Sequence, residues 1–307
     1  MTEQLRRGTG PWPSTNTESA VSVWLHGRMG QVEDSERPGM VRWMLDHASG
    51  QSKGERLVHD FRWSESLLDR LSVWAERLNG GEPLQHVLGE AWFDGLRISV
   101  SPAVLIPRPE TEELVEALSS RLQAEVAAPA QIVDWCTGSG CVALALKRRF
   151  PEAKVCGWDL SADALDVARA NAVQNHLHVA FDVRDALSAT HDGTVADAVV
   201  SNPPYIPSSV VDALEPVVRD HEPHQALCGG LDGLDACREI VQLAPQALAP
   251  GGWLLIEHHH DQSEQVLQLM QASGLVDAEA RCDLGGVKRF AMACRAPRSS
   301  ATLPSPA

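Results

Sequence analysis

The chain has 307 residues, of which 44% are hydrophobic, which is enough for one large domain and a smaller one. Its formal net charge of −15 argues against binding to nucleic-acid backbones, which requires clustered lysine and arginine. No apolar stretch reaches transmembrane length, and residues 1–17 lack the apolar core of a signal peptide. We therefore expect a cytoplasmic protein with no membrane association.

Two sequence features bear on metal binding and disulfides. The seven cysteines are scattered without a C-x-x-C pair, so we expect reduced thiols and no zinc site. His258, His259 and His260 are adjacent, but neighbours on a strand point to opposite faces and cannot converge on one ion. We predict no metal site.

The first 82 residues predict a leader and a helical domain. Residues 1–13 combine glycines, prolines and charges, and we expect them to form a flexible leader. Residues 14–82 repeat apolar side chains at helical spacing, which predicts a small helical domain that serves as a scaffold or in substrate recognition. The repeated positions are Val21, Trp24, Leu25, Met29, Val41, Met44, Leu45, Ala48, Leu67, Leu68, Leu71, Trp74, Ala75 and Leu78.

Residues 83–106 are expected to form a β-hairpin that links this domain to the next. Apolar residues alternate beside Asp94-Gly95, a dipeptide typical of two-residue hairpin turns. The hairpin is followed by Thr111 and a run of acidic residues. Because threonine favours the N-cap and acids favour the first helical turn, we expect Thr111 to cap the next helix.

Residues 107–296 alternate between strand and helix patterns, which indicates a doubly wound, parallel α/β sheet with helices on both faces. Strands are predicted at 132–135, 154–158, 178–182, 196–200, 253–257, 276–280 and 289–294. Helices are predicted at 142–149, 162–175, 234–248 and 262–273. Residues 297–307 are rich in Pro, Ser and Ala, and we expect a disordered tail.

A glycine-containing loop follows the first of these strands. Its sequence is Cys136-Thr137-Gly138-Ser139-Gly140. Gly138 permits a tight turn, and Gly140 allows a ligand to approach the backbone closely. The N–H groups that open the following helix would face an anionic group of that ligand. The loop therefore predicts a nucleotide-like ligand at the carboxyl end of the sheet.

Three aspartates at strand ends refine that expectation. Asp159 ends the second strand, where an acid accepts the two hydroxyls of a ribose, and Asp182 ends the third, near an adenine ring. The pattern Gly138-x-Gly140-x-x-Ala143 also fits a dinucleotide fingerprint. Asp134 favours S-adenosylmethionine instead, because its carboxylate would lie near the cationic amine or sulfonium. We find no hydride-transfer site for a nicotinamide.

The segment Ser201-Asn202-Pro203-Pro204-Tyr205 follows the fourth strand and opens into a loop. Asn202 offers a side-chain carbonyl, and two consecutive prolines stiffen the loop while leaving its carbonyls as acceptors. Tyr205 offers a flat face for a planar group. A rigid pair of acceptors beside a ring suits a planar –NH2 group, either an amide or an exocyclic amine.

Taken together, the chain resembles the protein-(glutamine-N5) methyltransferases of the HemK/PrmC type, which modify peptide-chain release factors. The resemblance covers roughly residues 15–295. It rests on Gly81-Glu82-Pro83-Leu84-Gln85, Leu105-Ile106-Pro107-Arg108-Pro109-Glu110-Thr111-Glu112, Thr137-Gly138-Ser139-Gly140, Ser201-Asn202-Pro203-Pro204-Tyr205-Ile206-Pro207, Leu214-Glu215-Pro216, Glu222-Pro223, Gly229-Gly230-Leu231-Asp232-Gly233-Leu234 and Pro250-Gly251-Gly252.

The resemblance implies a seven-stranded class I S-adenosylmethionine-dependent methyltransferase domain behind a small helical domain and a hairpin. It implies methylation of the glutamine amide in a Gly-Gly-Gln loop of release factors. Asn202, Pro203 and Tyr205 are the expected catalytic residues, and Pro204 joins them in binding substrate. The expected cofactor-binding residues are Asp134, Cys136, Thr137, Gly138, Ser139, Gly140, Asp159, Asp182, Val183 and Asn202.

Two of these positions depart from the family pattern. Cys136 stands where the family often has glycine, and Val183 stands where some members place an aromatic residue beside adenine. Three other functions stay open at this point: a glutamine methyltransferase of a ribosomal protein, an adenine-N6 methyltransferase of nucleic acid, and a non-catalytic S-adenosylmethionine-binding partner protein. The net charge argues against the nucleic-acid enzyme.

Overall fold

The computed structural model describes residues 8–125, 127–184 and 195–297. Contacts divide the chain into two compact units. The first unit runs to Glu90 and also takes in Glu215–His221, and the second comprises Ala91–Leu214 and the residues from Glu222 onward. Most of the predicted tail and the first seven residues of the predicted leader lie outside the described residues. No helix in the described ranges is long and apolar enough to cross a membrane.

The first unit is helical, as its apolar spacing predicts. Every position of that spacing is buried or partly buried, and together these side chains form one apolar core. Its helices are α1 (Glu18–Arg28), α2 (Arg37–Ser49), α3 (Lys53–Val58), α4 (Glu65–Asn79) and α5 (Leu84–Leu88). The last of these lies within the segment that the sequence assigns to the linking hairpin.

A buried charge cluster ties α1, α2 and α3 together. The guanidinium of Arg56 is fully buried and donates two hydrogen bonds to Glu18, at 3.0 and 2.9 Å. It also donates to Asp46 at 2.7 Å, and the indole of Trp63 donates to Glu18 at 3.1 Å. Because a buried cation needs a partner, Glu18 is a structural residue of this unit.

The predicted hairpin is present as a two-stranded sheet of β1 (Glu90–Phe93) and β2 (Leu96–Ser99). Its turn is Asp94-Gly95, with φ angles of 47° and 71°, as a two-residue hairpin turn requires. Phe93 and Ile98 are buried in the same apolar cluster as the helices and sheet of the second unit.

The second unit is built on a seven-stranded sheet in the order β5-β4-β3-β6-β7-β9-β8. The first five of these strands run parallel, whereas β9 runs antiparallel to both β7 and β8. The strands are β3 (Gln131–Trp135), β4 (Lys154–Asp159), β5 (Ala180–Val183), β6 (Ala196–Ser201), β7 (Leu248–Glu257), β8 (Leu275–Cys282) and β9 (Lys288–Arg295).

The doubly wound fold is confirmed, but the expectation of an all-parallel sheet is wrong for β9, which runs antiparallel to its two neighbours. A short turn joins β8 to β9, and a parallel neighbour would need a crossover connection of a dozen or more residues. The two strands therefore form a hairpin, and β9 lies between β7 and β8. The sheet ends in an antiparallel edge.

Helices cover both faces of this sheet. Side chains of α6, α7 and α8 pack on one face with Ile132 and Val155, and those of α12 and α13 pack on the other with Val133 and Leu254. The helices of the second unit are α6 (Pro109–Gln123), α7 (Cys141–Arg149), α8 (Ala162–Gln174), α9 (Ser208–Val211), α11 (His224–Leu227), α12 (Asp235–Ala247) and α13 (Ser263–Ala272), and α10 (Pro216–Arg219) belongs to the first unit. Sequence patterns did not predict α9, α10 or α11.

The start of α6 differs from the expectation. The helix begins at Pro109 with Arg108 at the N-cap, so Thr111 lies inside the first turn. Proline suits the first helical position because its missing N–H would have no intrahelical partner there. The hydroxyl of Thr111 is thus not a cap and is available for a contact elsewhere.

We expect Glu18→Ala to lower the free energy of unfolding by about 3–5 kcal/mol, because it leaves the buried guanidinium of Arg56 short of its bidentate partner. Urea denaturation followed by circular dichroism measures this change. The control is Glu33→Ala, which removes an exposed acid of the same type. Equal stability of the two variants would contradict a structural role for Glu18.

Candidate active site

A cavity of about 620 Å³ lies at the carboxyl ends of β3, β4 and β6. In the sheet order β4-β3-β6, the chain moves outward from β3 in one direction and returns through β6 in the other. Ligands of open α/β sheets bind at such a switch point. The cavity therefore lies where the sequence places the chemistry.

The loop between β3 and α7 has three residues in the left-handed region. Cys136 has φ 59°, Gly138 has φ 52° and Gly140 has φ 79°. Cys136 therefore adopts the left-handed backbone conformation, although glycine adopts it more easily than any other residue. A Cβ on Gly140 would come within 3.0 Å of Ala168 and Phe181, so only glycine fits there without a shift.

Asp134 supports the loop from below. It is 1% exposed, and its Oδ2 accepts hydrogen bonds from the Thr137 hydroxyl at 2.6 Å and the Ala143 N–H at 3.2 Å. Burial raises the pKa of this carboxyl to about 7. A buried acid of this kind gains from a cation nearby, which stabilises its ionised form.

Asp159 closes the loop from the side of β4. Its carboxylate accepts the N–H of Gly138 at 2.8 Å and that of Ser161 at 2.9 Å, and burial raises its pKa. Two carboxylates therefore contact the loop, and one of them consumes a loop N–H that a diphosphate would need. This charge pattern disfavours the dinucleotide alternative.

Eight of the predicted site residues line the cavity, and five do not. Asp182 and Val183 are exposed. Two residues that were not predicted, Trp158 and Arg184, line the cavity, and the guanidinium of Arg184 lies 4.4 Å from the ring centroid of Trp158. Those lining it are Asp134, Cys136, Thr137, Gly138, Ser139, Asp159, Asn202 and Pro204, and those outside the described lining are Gly140, Asp182, Val183, Pro203 and Tyr205.

The side chain of Asn202 is held by Thr111. Its Nδ2 donates to the Thr111 hydroxyl at 3.0 Å, and that hydroxyl donates to Glu257 Oε2 at 2.8 Å. A hydroxyl has one proton, so Thr111 can only accept from Asn202 once it donates to Glu257. The carbonyl oxygen of Asn202 is therefore left for a partner in the cavity.

Tyr205 is anchored to the same acid. Its hydroxyl donates to Glu257 Oε1 at 3.1 Å, which fixes the direction of the ring. Burial, together with the neighbouring Glu257, raises the pKa of the Tyr205 hydroxyl above its usual range. Tyr205 thus stays protonated and serves as a hydrogen-bond donor and an apolar surface.

Neither Glu257 nor a site role for Thr111 was predicted from sequence patterns. The sequence did contain an indication of Glu257: it is an acid at the end of a predicted strand, in the same position on β7 that Asp159 has on β4. In the described part of the chain, no group of three or more His, Cys, Asp or Glu is placed to hold a metal ion. His258–His260 follow β7 and do not extend it, and His259 Nδ1 contacts Asp261 at 2.6 Å.

Known proteins resemble this chain over most of its length. The family model for the methyltransferase small domain matches residues 110–219. Two curated release factor glutamine methyltransferases align closely. One, from Prochlorococcus marinus, is 40% identical over 90% of this chain and 96% of its own length. Another, from Geobacter sulfurreducens, is 41% identical over 90% of this chain and 96% of its own length.

The chain belongs to the release factor glutamine methyltransferase family. A solved protein-(glutamine-N5) methyltransferase from Alicyclobacillus acidocaldarius is 28% identical, covering 65% of this chain and 100% of its own, with a TM-score of 0.41. Release factor glutamine methyltransferases depend on S-adenosylmethionine. The cavity fits that cofactor, because a buried acid at Asp134 suits its cationic groups and Asp159 suits ribose hydroxyls.

We expect Asp134→Asn to change how the stability of this methyltransferase depends on pH. The folded state of the wild type holds a proton on Asp134 up to about pH 7, whereas the unfolded chain releases it near the ordinary value. The wild type therefore loses stability, relative to the variant, as the pH rises through that window. Asparagine retains an acceptor for Thr137 and Ala143 but carries no charge.

Denaturant unfolding of both proteins at a series of pH values measures this difference at constant ionic strength. The free energy of unfolding of the variant minus that of the wild type should rise between about pH 4 and about pH 7 and then level off. Parallel curves across that range would contradict a buried, protonated Asp134.

Proposed function

We propose that this protein transfers a methyl group from S-adenosylmethionine to the side-chain amide nitrogen of the glutamine in the Gly-Gly-Gln motif of peptide-chain release factors. Membership of the family supports this activity. The observation that carries the proposal is the hydrogen bond from Asn202 to Thr111, since it leaves the Asn202 carbonyl to accept from an amide N–H.

The chemistry explains why acceptors matter more than a strong base. An amide nitrogen is a weak nucleophile because its lone pair is delocalised into the carbonyl. When bound, S-adenosylmethionine supplies an electrophilic methyl group on a sulfonium. Formation of the N–CH3 bond breaks the S–CH3 bond and leaves a neutral thioether, and the amide nitrogen then loses one of its two protons to solvent. As positive charge develops on the amide nitrogen, its N–H groups become stronger donors, and the carbonyl of Asn202 then binds them more tightly.

Pro203 and Tyr205 complete the proposed substrate site. The carbonyl of Pro203 is the second acceptor, so each N–H of the glutamine amide has one partner. Two consecutive prolines hold that carbonyl on a stiff loop, which limits the orientations that the amide must search. The ring of Tyr205, fixed by its bond to Glu257, packs on the flat amide.

Seven of the ten proposed cofactor residues line the cavity, and Gly140, Asp182 and Val183 do not. Asp159 accepts ribose hydroxyls with the lone pairs that Gly138 and Ser161 do not use. Asp134 and the backbone of residues 136–140 face the cationic end. We keep Asp182 and Val183 as proposed neighbours of the adenine, together with Arg184 and Trp158, which line the cavity.

Family membership favours release factors over the ribosomal-protein, adenine and non-catalytic alternatives. The partner of the protein is thus another protein that acts in translation termination. We propose that the enzyme works in the cytoplasm, where release factors meet the ribosome, and that it does not bind nucleic acid directly, in keeping with its net charge of −15.

Mass spectrometry of a release factor after incubation with this protein and S-adenosylmethionine tests the function. We expect a single added methyl on the loop glutamine and none on a Gly-Gly-Ala version of the same factor. Absence of a methyl on both, with cofactor binding still measurable, would contradict the proposed substrate.

We expect Asn202→Ala to reduce kcat by about 100-fold or more, because one of two acceptors for the developing charge is lost. The dissociation constant for S-adenosylmethionine should change far less, and calorimetry measures it. Asn175→Ala is the matched control, since Asn175 lies outside the described cavity lining and donates to Arg97 and Asn171. Full turnover by Asn202→Ala would exclude the role given to Asn202.

A further inference from the structure

Glu257 holds the hydroxyl of Tyr205, and its contact with Thr111 gives it a second link to the proposed site, through Asn202. It is 2% exposed, at the carboxyl end of β7, and each of its oxygens contacts a different residue around the substrate site. Oε2 accepts from Thr111 at 2.8 Å, and Oε1 accepts from Tyr205 at 3.1 Å. One buried acid thus connects both sides of the proposed amide site.

When Glu257 is ionised, it determines which group donates in each of three hydrogen bonds: Thr111 to Glu257, Tyr205 to Glu257 and Asn202 to Thr111. A carboxylate can only accept, so Thr111 and Tyr205 must both donate to it. Thr111 then has only lone pairs for Asn202, and the –NH2 group of Asn202 must turn toward it. The carbonyl of Asn202 consequently faces the cavity.

The opposite orientation of Asn202 would be inactive. An –NH2 group turned to the cavity would meet the N–H groups of a glutamine amide, which are donors as well. An asparagine amide can rotate by half a turn with little change in shape, so packing alone does not select the productive orientation. The productive orientation is selected only if a polar neighbour of Asn202 can accept a hydrogen bond from it but cannot donate one.

We propose that Glu257 is a positioning residue for methyl transfer: through Thr111 it selects the acceptor-facing orientation of Asn202, and through the hydroxyl of Tyr205 it holds the ring against the substrate amide. The inference rests on the proposed function and deepens it. Glu257 does not touch the substrate and acts through its two hydrogen-bonded neighbours.

The charged groups around Glu257 make this device sensitive to pH. Burial raises the pKa of Glu257 to about 7, while Arg289 on β9 lowers it and Glu110 on α6 raises it. The hydrogen bonds from Thr111 and Tyr205 favour the ionised form. At a pH below this pKa, Glu257 carries a proton and can donate to Thr111. The direction of the hydrogen bonds from Glu257 through Thr111 to Asn202 is then no longer fixed. Methyl transfer should therefore rise with pH across that region.

The test compares Thr111→Val with Thr111→Ser in methylation of a release factor. Valine has the shape of threonine but no hydroxyl, so Asn202 loses the group that orients it. We expect kcat to fall by about 10- to 100-fold, as for the loss of one hydrogen bond to a charged group, with little change in the KM for the cofactor. Serine restores the hydroxyl and should restore most of kcat.

The pH profile gives a second, independent readout. At saturating cofactor, kcat of the wild type should rise between about pH 6 and about pH 8, and Glu257→Gln should lower kcat and abolish that rise. Saturating cofactor is used because Asp134 also has a pKa of about 7 and lies in the cavity lining.

The outcomes separate the two claims. A wild type that does not methylate the release factor overturns the proposed function itself. A wild type that methylates, with Thr111→Val equal to Thr111→Ser in kcat, overturns the positioning inference and leaves the function in place. If Thr111→Val does not fold, the pH profile decides: a rise lost in Glu257→Gln supports the inference, and a flat wild-type profile overturns it.

Discussion

The hydrogen bond between Thr111 and Glu257 is the contact on which the proposed site depends. It joins the first turn of α6 to the end of β7 across 146 residues of sequence. Because a buried, ionised Glu257 can accept hydrogen bonds but cannot donate them, Thr111 and Tyr205 must both donate to it. The orientation of Asn202 follows from that constraint, and the proposed binding of an amide by the loop after β6 depends on it.

The parallel part of the sheet explains why the proposed cofactor loop and the proposed substrate loop lie side by side. The loop after β3, the acid at the end of β4 and the Asn-Pro-Pro-Tyr segment after β6 all lie at the same edge of the sheet. The acids of the first two elements suit a cationic ligand, and the acceptors of the third suit an amide. Methyl transfer needs an electrophilic methyl group and a nucleophilic nitrogen side by side, and the strand order places the two proposed binding loops next to each other.

Local patterns predicted much of this arrangement from the sequence. Helical spacing located the core of the first unit, Asp94-Gly95 located the hairpin, and residues 136–140 and 202–205 located two loops that contribute to the cavity lining. Thr111 was misassigned as a cap because the helix begins earlier, at Pro109, and its contact with Glu257 was missed because the two residues are distant in sequence. The antiparallel placement of β9 and the exposure of Val183 likewise depend on tertiary packing, which no local pattern contains.

Equilibrium binding of release factors to this protein, in the presence of S-adenosylhomocysteine, tests the central claim that the site presents two acceptors to a glutamine amide. The release factor with its loop glutamine is compared with variants in which glutamate or methionine, which have side chains of similar length, replaces that glutamine. Glutamine should bind most tightly and glutamate most weakly, because a carboxylate brings no donor to either acceptor and repels both. Glutamate binding as tightly as glutamine would contradict the account.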